Sequence, residues 1–529
     1  MKSNGKMPNW KTVMGWAFFG AGILMLGRCI FLCFSQDIWY DELFTVGFLP
    51  HSYGEIASLT AKDVHPPLYY WIVKFFSSLI ITLCKLIGAE ITLVAAAKLC
   101  SVIPYFLLLI YCLTFLRKRF GTFVGGMFFF CVLSMPQMSA YMVEVRMYSW
   151  ALFFVTAALL HAYETCTADS RNVQRLHGAA LVLYGLAAAY TQYFACVAVV
   201  MVYLYVLVAF FRRDRGRIME WIFCVLLSVA GYVPWLVSLW GQITAVKDNY
   251  WILPLNLRSV GGCIKFLCKP AFTNETVNVI LAVLLFVLYV CFFGMAVLRE
   301  RQERKPQREL AMAGLSLLLG LVAFGFAASF LIRPVFVYRY MLPAMGGFWL
   351  CFVLCLDMGW KKEGRRQIAL LSLVAALGIA VIGLRDYRAF MGEEEYKILL
   401  MKDTQEALAE LQEGDIVLYN FDQVQLVTSY YVDGLESCLW NGETEELIRE
   451  ILNSSCTFET FGDVEDTQKF QQIKEWLKTG RRVWFIGSFQ SREEIVQEMQ
   501  DAGFQVEEQG SYLLERYWFN LYSIKNQDV

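Results

Sequence analysis

Long apolar segments recur along most of the chain and are separated by short charged loops. Eleven of these segments approach the length of about 20 residues that a helix needs to cross a bilayer. A twelfth apolar run, 68–87, carries Lys74 and Lys85. The pattern predicts a polytopic α-helical membrane protein, with spans near 13–35, 91–116, 122–140, 147–166, 177–191, 194–211, 219–239, 277–298, 310–332, 337–357 and 366–385.

From about residue 386 the pattern changes to short alternating elements. Glu-rich amphipathic stretches alternate with β-like runs at Asp415–Tyr419, Arg482–Ile486 and Trp518–Ile524, which is typical of a small α/β domain. This part of the sequence contains no GxGxxG and no Walker motif, so nothing in it favours nucleotide binding. We therefore predict a membrane domain over 1–385, with a first outer loop at 36–90, and an extracytoplasmic α/β domain over 386–529.

The composition favours the same class. Of 529 residues, 57% are hydrophobic and 18% are charged, and the mean hydropathy is +0.47. A soluble protein of this length has too little interior to bury that much apolar surface. The net charge of −1 gives no sign of nucleic-acid binding. The sixteen cysteines show no metal-site spacing, and a disulfide between Cys438 and Cys456 is an open alternative for an exported tail.

The cationic loops predict the orientation, because short loops rich in Lys and Arg stay in the cytoplasm. If 68–87 crossed the membrane, all five such loops would lie outside. If it lies on the outer surface as a helix or re-entrant turn, all five lie inside together with the N-terminus. The prediction is thus about eleven spans in the cell membrane with a cytoplasmic N-terminus, the loops being Arg117–Arg119, Arg171–Arg175, Arg212–Arg217, Arg299–Arg308 and Lys361–Arg366.

The first outer loop gathers acidic groups at the membrane boundary, where they are costly to desolvate and mark candidate functional sites. Asp41 and Glu42 follow Trp39-Tyr40, an aromatic pair typical of the interface. One carboxylate there is a candidate general base for an acceptor hydroxyl. The structural alternative is a helix cap or an ion pair with a loop lysine.

The same loop ends in Asp63-Val64-His65-Pro66-Pro67-Leu68-Tyr69-Tyr70. The two prolines form an extended turn without backbone donors, so the Asp and His before it point in defined directions. This octapeptide favours function over a simple helix entry capped by Asp63. Glu42, Asp63 and His65 are also a set of ligand types for a divalent cation, but their spacing is not diagnostic and no metal is firmly predicted.

The spacing of these motifs resembles the dolichyl-phosphate-mannose protein mannosyltransferase superfamily. That group includes the bacterial aminoarabinose transferases of lipid A and has the C-type glycosyltransferase fold. The resemblance covers most of residues 13–350. It departs at Thr191-Gln192-Tyr193, where relatives often have Thr-His-Tyr, so any role of that histidine is absent or changed. The other matching motifs are Lys98, where relatives usually carry arginine, Arg117–Gly121, Glu144-Val145-Arg146-Met147-Tyr148, Val233-Pro234-Trp235 and Arg339-Tyr340.

The resemblance implies a polyprenyl-phosphate sugar as donor and transfer on the outer face, often without an essential metal. It implies that Asp41 is the general base and that Glu42 supports it. Asp63 then orients the acceptor or, with Glu42, holds a divalent ion. The further substrate-binding candidates are His65, Tyr69, Lys98, Glu144, Arg146, Tyr148, Tyr193, Arg339 and Tyr340.

The cationic candidates suit a phosphate leaving group, because guanidinium groups bind phosphate oxygens in pairs and stay charged. Arg339 lies between two tyrosines and favours ligand binding, whereas Arg333 favours contact with lipid headgroups. For Glu144 and Arg146 an internal ion pair that closes a short connection is an equal alternative. Lys98 pairs with an acid of the first loop or with phosphate.

The sequence therefore predicts an inverting membrane glycosyltransferase, a hexosyl- or pentosyltransferase of mannosyltransferase-like type acting on the cell envelope. The acceptor is a hydroxyl of a glycan, a lipid or a protein. A transporter or flippase of lipid-linked glycans is the alternative, and a non-catalytic scaffold is a second one. Transporters usually place polar residues on broken helices near the midplane, whereas these acids cluster at one membrane face.

Overall fold

The computed structural model describes residues 10–245, 252–299, 306–360, 366–444, 446–452 and 454–526. The cationic stretches 300–305 and 361–365 lie outside the described residues. The chain divides into two compact units: unit 1 comprises Met1–Phe31, Thr60–Phe76 and Lys98–Met391, and unit 2 comprises Leu32–Leu59, Ser77–Ala97 and Gly392–Val529. The predicted first outer loop, 36–90, is thus split between the units. The domain boundary predicted at 385/386 falls within one continuous helix, Arg366–Leu408.

Helices form most of the described chain. A π-helical segment, Cys112–Leu116, joins α5 and α6, and 3-10 turns lie at Ser139–Met142, Arg215–Arg217 and Tyr338–Met341. The helices are α1 Trp10–Leu32, α2 Tyr40–Gly47, α3 Tyr53–Lys62, α4 Leu68–Leu86, α5 Leu93–Tyr111, α6 Arg117–Phe120, α7 Thr122–Ser134, α8 Tyr148–Thr167, α9 Arg171–Ala189, α10 Tyr193–Arg213, α11 Ile218–Ala245, α12 Leu257–Cys268, α13 Glu275–Arg299, α14 Pro306–Leu331, α15 Leu342–Trp360, α16 Arg366–Leu408, α17 Asp422–Tyr431, α18 Glu446–Leu452, α19 Asp466–Lys478 and α20 Ser491–Asp501.

Within the described residues, nine helices are long and apolar enough to cross a membrane, so the chain is a polytopic helical membrane protein. The predicted count of about eleven spans is not confirmed. Among the predicted spans, 122–140 forms the shorter α7, and 147–166 and 177–191 form α8 and α9, which are less apolar than the nine. The helix α4 is among the nine, so its position on the outer surface stays a prediction.

The helices α8 and α9 are less apolar because they carry polar groups that are paired inside unit 1. The imidazole Nδ1 atoms of His161 and His177 are 2.7 Å apart, and the Tyr111 hydroxyl lies 2.8 Å from His161 Nε2. Arg119 donates two hydrogen bonds of 2.8 Å to Glu164. A helix surrounded by protein tolerates such groups when their hydrogen bonds are satisfied, and hydropathy alone does not recognise this.

The core of unit 1 is built around α15, which is apolar on all sides and almost wholly buried, as expected for a helix without a polar face. It packs against α8, α13 and α14. The approach of α14 to α15 is close, because a Cβ atom on Gly314 would lie 2.2 Å from the carbonyl oxygen of Gly347. Glycine at this position therefore allows the two backbones to touch.

Unit 2 contains a six-stranded mixed sheet. Its order is β3-β2-β1-β4-β6-β5, in which β3, β2, β1 and β4 are parallel and β6 runs antiparallel to β4 and β5. The C-terminal α/β domain is thereby confirmed. The strands are β1 Ile416–Tyr419, β2 Glu436–Leu439, β3 Thr457–Thr460, β4 Val483–Gly487, β5 Phe504–Leu514 and β6 Tyr517–Asn526.

The three predicted β-like runs correspond to β1, β4 and β6, and the other three strands were not predicted. The core between sheet and helices includes Leu418, Phe485 and Ile524, with Ile473 of α19 and Met499 of α20. Cys438 and Cys456 are both buried free thiols, so the alternative of a disulfide between them is wrong.

Candidate functional site

The acidic pair lies on α2, a short helix of unit 2. Glu42 is buried, with 2% of its surface exposed, and its Oε2 accepts the backbone N–H of Trp39 at 3.3 Å. Because Trp39 directly precedes the helix, this carboxylate caps a free N–H group of the first turn. Asp41 precedes it by one residue and is half-buried. Of the two acids, Glu42 is thus the one whose carboxylate caps the N-terminus of α2.

The C-terminal domain surrounds the start of α2. The Tyr431 hydroxyl lies 3.1 Å from the Ile38 backbone nitrogen and accepts its N–H, and the Arg516 guanidinium stacks 3.8 Å from the centre of the Trp39 ring. Further along the loop, His51 Nε2 is 2.9 Å from the carbonyl oxygen of Ile451. These contacts hold the acidic helix in one position within unit 2.

Tyr517 is the group of this domain that lies near Asp41. Its hydroxyl donates to Gln423 Oε1 at 2.7 Å and accepts a hydrogen bond from the Tyr40 backbone. Burial and the negative charge of Asp41 raise the pKa of Tyr517 well above its ordinary value. The C-terminal domain therefore contributes directly to the surroundings of Asp41.

The remaining candidates lie in unit 1. Asp63 Oδ2 and His65 Nδ1 are 2.7 Å apart, so the acid orients the imidazole. After the two prolines, the Leu68 backbone N–H donates to the Tyr190 carbonyl oxygen at 3.1 Å. Tyr69 is fully buried behind this turn. The motif is thus a fixed structure rather than an open loop.

Three charged candidates of unit 1 are buried: Lys98 is 3% exposed, Glu144 8% and Arg146 6%. Ser101 Oγ donates to the Glu144 carbonyl oxygen at 2.7 Å, which anchors the connection before α8. Charges are seldom buried so completely without a structural or functional need. Each of the three side chains is therefore a candidate both for a structural ion pair and for a contact with substrate.

Arg339 and Tyr340 come from the 3-10 turn before α15. The Arg339 guanidinium lies 6.0 Å from the centre of the Tyr148 ring, and the Tyr148 hydroxyl is buried. Tyr148 also lies within electrostatic range of Arg146. Two guanidinium groups and one tyrosine are therefore brought together in unit 1, from two segments that are distant in sequence.

A cavity of about 350 Å³ opens among α10, α11 and α14. Tyr193 lies in its wall, where its hydroxyl donates to Gln242 Oε1 and accepts the Trp235 indole N–H at 3.0 Å. Gln242 Nε2 in turn donates to the Thr60 carbonyl oxygen at 2.8 Å. The wall is mainly apolar and also includes His65, Gln192, Phe194, Tyr232, Phe324 and Tyr340.

Gln192 differs from the other polar groups of this cavity. Its side chain is buried, and its Oε1 has no hydrogen-bond partner among the described residues. A buried acceptor without a partner is costly, so a ligand hydroxyl or a water molecule fits this position. The amide of Gln192 is thus the polar group of this cavity that has an acceptor to offer.

The Gln192 oxygen has no partner among the described residues, whereas both ends of the Gln242 amide are hydrogen-bonded. Replacing each glutamine by methionine should therefore have opposite effects on stability. We expect Gln192→Met to leave the thermal unfolding midpoint unchanged or higher, because it removes an unsatisfied buried acceptor without a large change of volume. The matched control is Gln242→Met, which loses both hydrogen bonds of that amide and should destabilise by about 1–3 kcal/mol. Thermal unfolding of the purified variants in detergent measures both. A clear destabilisation by Gln192→Met would show that the amide is satisfied.

No arrangement for a metal is found. Within the part of the chain that the structure describes, no group of three or more His, Cys, Asp or Glu side chains is placed to hold an ion. Glu42, Asp63 and His65 do not form such a group among these residues.

Similarity to solved structures identifies the architecture. No family model matches the chain. No curated protein matches it significantly. The crystal structure of ArnT from Cupriavidus metallidurans in the apo state matches 96% of this chain and 98% of its own, with a TM-score of 0.55 and 13% identity.

The chain has the C-type glycosyltransferase fold. The resemblance predicted from the motifs is thus confirmed at the level of fold. Weaker similarity is found to the AglB oligosaccharyltransferase of Archaeoglobus fulgidus in complex with an inhibitory peptide and a dolichol-phosphate. It covers 88% of this chain and 69% of that one, with a TM-score of 0.39 and 11% identity.

Sequence reasoning missed several groups of this C-type glycosyltransferase fold that surround the candidates. Arg516 lies in the hairpin turn between β5 and β6 and Tyr517 begins β6, both far along the chain from Asp41. A local sequence pattern does not indicate that these residues lie near Asp41, because only the tertiary fold brings the two segments together. Gln242 and Trp235 were likewise not assigned, although the Val-Pro-Trp motif pointed to this part of α11.

Proposed function

We propose that this chain is an inverting membrane glycosyltransferase that moves a hexose or a pentose from a polyprenyl-phosphate donor to an acceptor hydroxyl. The reaction takes place on the outer face of the cell membrane, and the acceptor is a glycan, a lipid or a protein. The observation that supports this most is the fold shared with ArnT, an aminoarabinose transferase, over nearly the whole of both chains. Since a fold does not define a reaction, the roles rest on the residues.

The proposed reaction is a single displacement at the anomeric carbon. The acceptor oxygen forms a bond to that carbon while the bond to the phosphate oxygen breaks, so the configuration inverts. Asp41 takes the acceptor proton, and the polyprenyl phosphate leaves with the electron pair of the broken bond.

In this proposal Glu42 acts through the backbone. Its carboxylate accepts the Trp39 N–H and fixes the turn that carries Asp41. Asp63 and His65, joined at 2.7 Å, orient the acceptor. Tyr69, Glu144, Tyr193 and Tyr340 complete the assigned substrate-binding residues.

The cations of unit 1 receive the phosphate. Arg339 and Arg146 remain charged at any working pH and offer paired donors to phosphate oxygens, and Lys98 adds a third positive charge. Such groups stabilise the charge that develops on a leaving group. The Tyr148 hydroxyl, close to both guanidinium groups, is a further donor.

The experiment that separates this proposal from a flippase uses proteoliposomes that contain the purified protein and a fluorescent polyprenyl-phosphate mannose. A transferase consumes this donor when an acceptor glycan is added outside, and the protein does not speed up movement of the labelled lipid between leaflets. Fast lipid movement without donor consumption, for this and other donor sugars, would contradict the proposal and support the transporter.

A further inference from the structure

The sheet of unit 2 has a switch point between β1 and β4. From β1 the chain continues through α17 to β2 on one side, whereas β4 is added on the other side of β1. In open α/β sheets, ligands bind outside the carboxyl ends of the strands where the order reverses. In this domain Asn420 follows β1, and Ser488 follows β4.

The neighbouring strand β6 brings further groups to the same edge. It is antiparallel to β4, and Asn520 pairs with Gly487, so Tyr517 at the start of β6 lies at the carboxyl end of β4. The acidic helix α2 packs against α17, which begins directly after β1. Asp41 is thus held beside the switch point, where its charge acts on Tyr517.

An exposed aromatic residue stands at this edge in an unfavourable backbone conformation. Phe489 is 66% exposed and has a φ of 59°, in the left-handed region that bulky side chains rarely adopt. Its ring contacts Phe421 edge-on, with centroids 5.1 Å apart, and Phe421 in turn contacts Tyr517 at 5.8 Å. Strain of this kind is concentrated at ligand sites, and a ring that is 66% exposed gains only limited packing to offset it.

Polar groups border the aromatic ones. Asp422 is half-buried at the start of α17, and the Ser488 hydroxyl is buried without a partner among the described residues. The Asn420 amide joins the two strand ends, because it donates to the Ser488 carbonyl oxygen at 2.7 Å and accepts the Ser488 N–H at 2.8 Å. The ends of β1 and β4 are thereby joined at this edge.

These features fit a carbohydrate better than a lipid chain. A pyranose ring presents C–H groups on its face, which pack on an aromatic ring, and hydroxyl groups at its rim, which bond to carboxylate and hydroxyl groups. A lipid chain would offer no hydrogen bond to the Ser488 hydroxyl or to the second carboxylate oxygen of Asp422, whose Oδ1 accepts the Gln423 N–H at 2.8 Å. The aromatic and polar groups at this edge match both parts of a sugar.

We infer that Phe421, Phe489, Asp422 and Ser488, together called the acceptor edge, bind a sugar unit of a glycan acceptor and present one of its hydroxyls to Asp41. This inference rests on the proposed function for the role of Asp41. The C-terminal domain then provides the acceptor site: the acceptor oxygen bonds to the anomeric carbon, its proton passes to Asp41, and the phosphate leaves.

The variant Phe489→Gly tests the acceptor edge without loss of folding, because glycine adopts positive φ without strain. The matched control is Trp518→Ala, which removes an exposed aromatic residue of the same domain that follows Tyr517 on a strand and so points to the other face. Thermal unfolding should show Phe489→Gly at least as stable as the wild type.

The binding readout is saturation-transfer NMR on the full-length protein in detergent, with methyl glycosides of mannose, glucose, galactose and arabinose as probes. We expect signals from at least one glycoside with the wild type and with Trp518→Ala, and a loss of those signals with Phe489→Gly. Absence of any signal with the wild type, or equal signals with Phe489→Gly, would overturn the inference. Loss in both variants would also overturn it, since the effect would not be specific to the edge.

A kinetic readout separates this inference from the proposed function. With an active donor and a glycan acceptor, Phe489→Gly should raise the acceptor KM by roughly threefold to tenfold, the value of one aromatic contact. An unchanged acceptor KM, with transfer that still requires Asp41, would reject the acceptor edge alone. Glycoside binding at the edge with no transfer from any donor would reject the proposed function and leave a sugar-binding site.

Discussion

Asp41→Asn is expected to lower the rate of sugar transfer by about 10²–10⁴-fold, the usual contribution of a positioned general base. The amide keeps the size and the hydrogen-bonding outline of the carboxylate but cannot take the acceptor proton. Since Asp41 lies on the first turn of α2, the lost charge should cost only about 0.3–1 kcal/mol of stability. The rate of glycosylated product formation at saturating donor measures the effect.

The matched control for this change is Asp37→Asn, in the same loop and with the same chemistry. The Asp37 charge acts on Tyr430 and Tyr431, and no role in proton transfer is proposed for it, so its variant should retain most activity. Equal losses in both variants would point to the structure of the loop rather than to a base at Asp41.

Glu42 provides a second comparison. Glu42→Gln keeps an oxygen that accepts the Trp39 N–H, whereas Glu42→Ala removes it. If Glu42 positions Asp41 through this bond, the glutamine variant is the more active and the more stable of the two. Equal and complete loss of activity in both would give the Glu42 charge a direct part in the reaction.

Arg339→Gln is expected to lower kcat by about 10²–10³-fold, as when one group that stabilises developing negative charge is removed. The side chain lies 6.0 Å from the Tyr148 ring, and the variant leaves that tyrosine in place. Arg339→Lys should recover part of the rate, because an ammonium group keeps the charge but loses the paired donors. Single-turnover measurements of polyprenyl phosphate release separate this effect from substrate binding.

The control for Arg339 is Arg333→Gln, because both arginines are half-buried in the segment between α14 and α15. Arg333 is assigned to lipid headgroups and to no step of the reaction, so its loss should change kcat by less than about threefold. A larger effect at Arg333 than at Arg339 would reverse the assignment of the phosphate-binding arginine.

The sequence predicts the membrane class well, because apolar length is a local property of the chain. It is less informative about α8 and α9, where His161, Glu164 and His177 lower the hydropathy and are satisfied only by neighbours inside the protein. In unit 2 the buried strands β1 and β4 read as apolar runs, whereas β3, with the sequence Thr-Phe-Glu-Thr, is an exposed edge strand. Because β3 is largely exposed, its sequence lacks the apolar run that marks the central strands and gives little indication of a strand.

The residues of the candidate site also divide into those that local sequence indicates and those that only the tertiary structure reveals. Asp41, Asp63 and Arg339 are recognisable because their motifs are contiguous in sequence. Tyr517 and Phe489 are not, since the first depends on the sheet register that places β6 beside β4, and the second on a backbone angle that no residue pattern encodes. Local motifs therefore predict which residues react, and tertiary structure is needed to find which residues surround them.

The proposed reaction is sugar transfer by single displacement from a lipid phosphate. The most direct measurement is one reaction of purified wild-type protein with a polyprenyl-phosphate sugar and a glycan acceptor, analysed by mass spectrometry and by NMR of the new glycosidic bond. The predicted result is equal amounts of free polyprenyl phosphate and glycosylated acceptor, with the anomeric configuration opposite to that of the donor. No release of polyprenyl phosphate from any donor, or a product with retained configuration, would contradict the account.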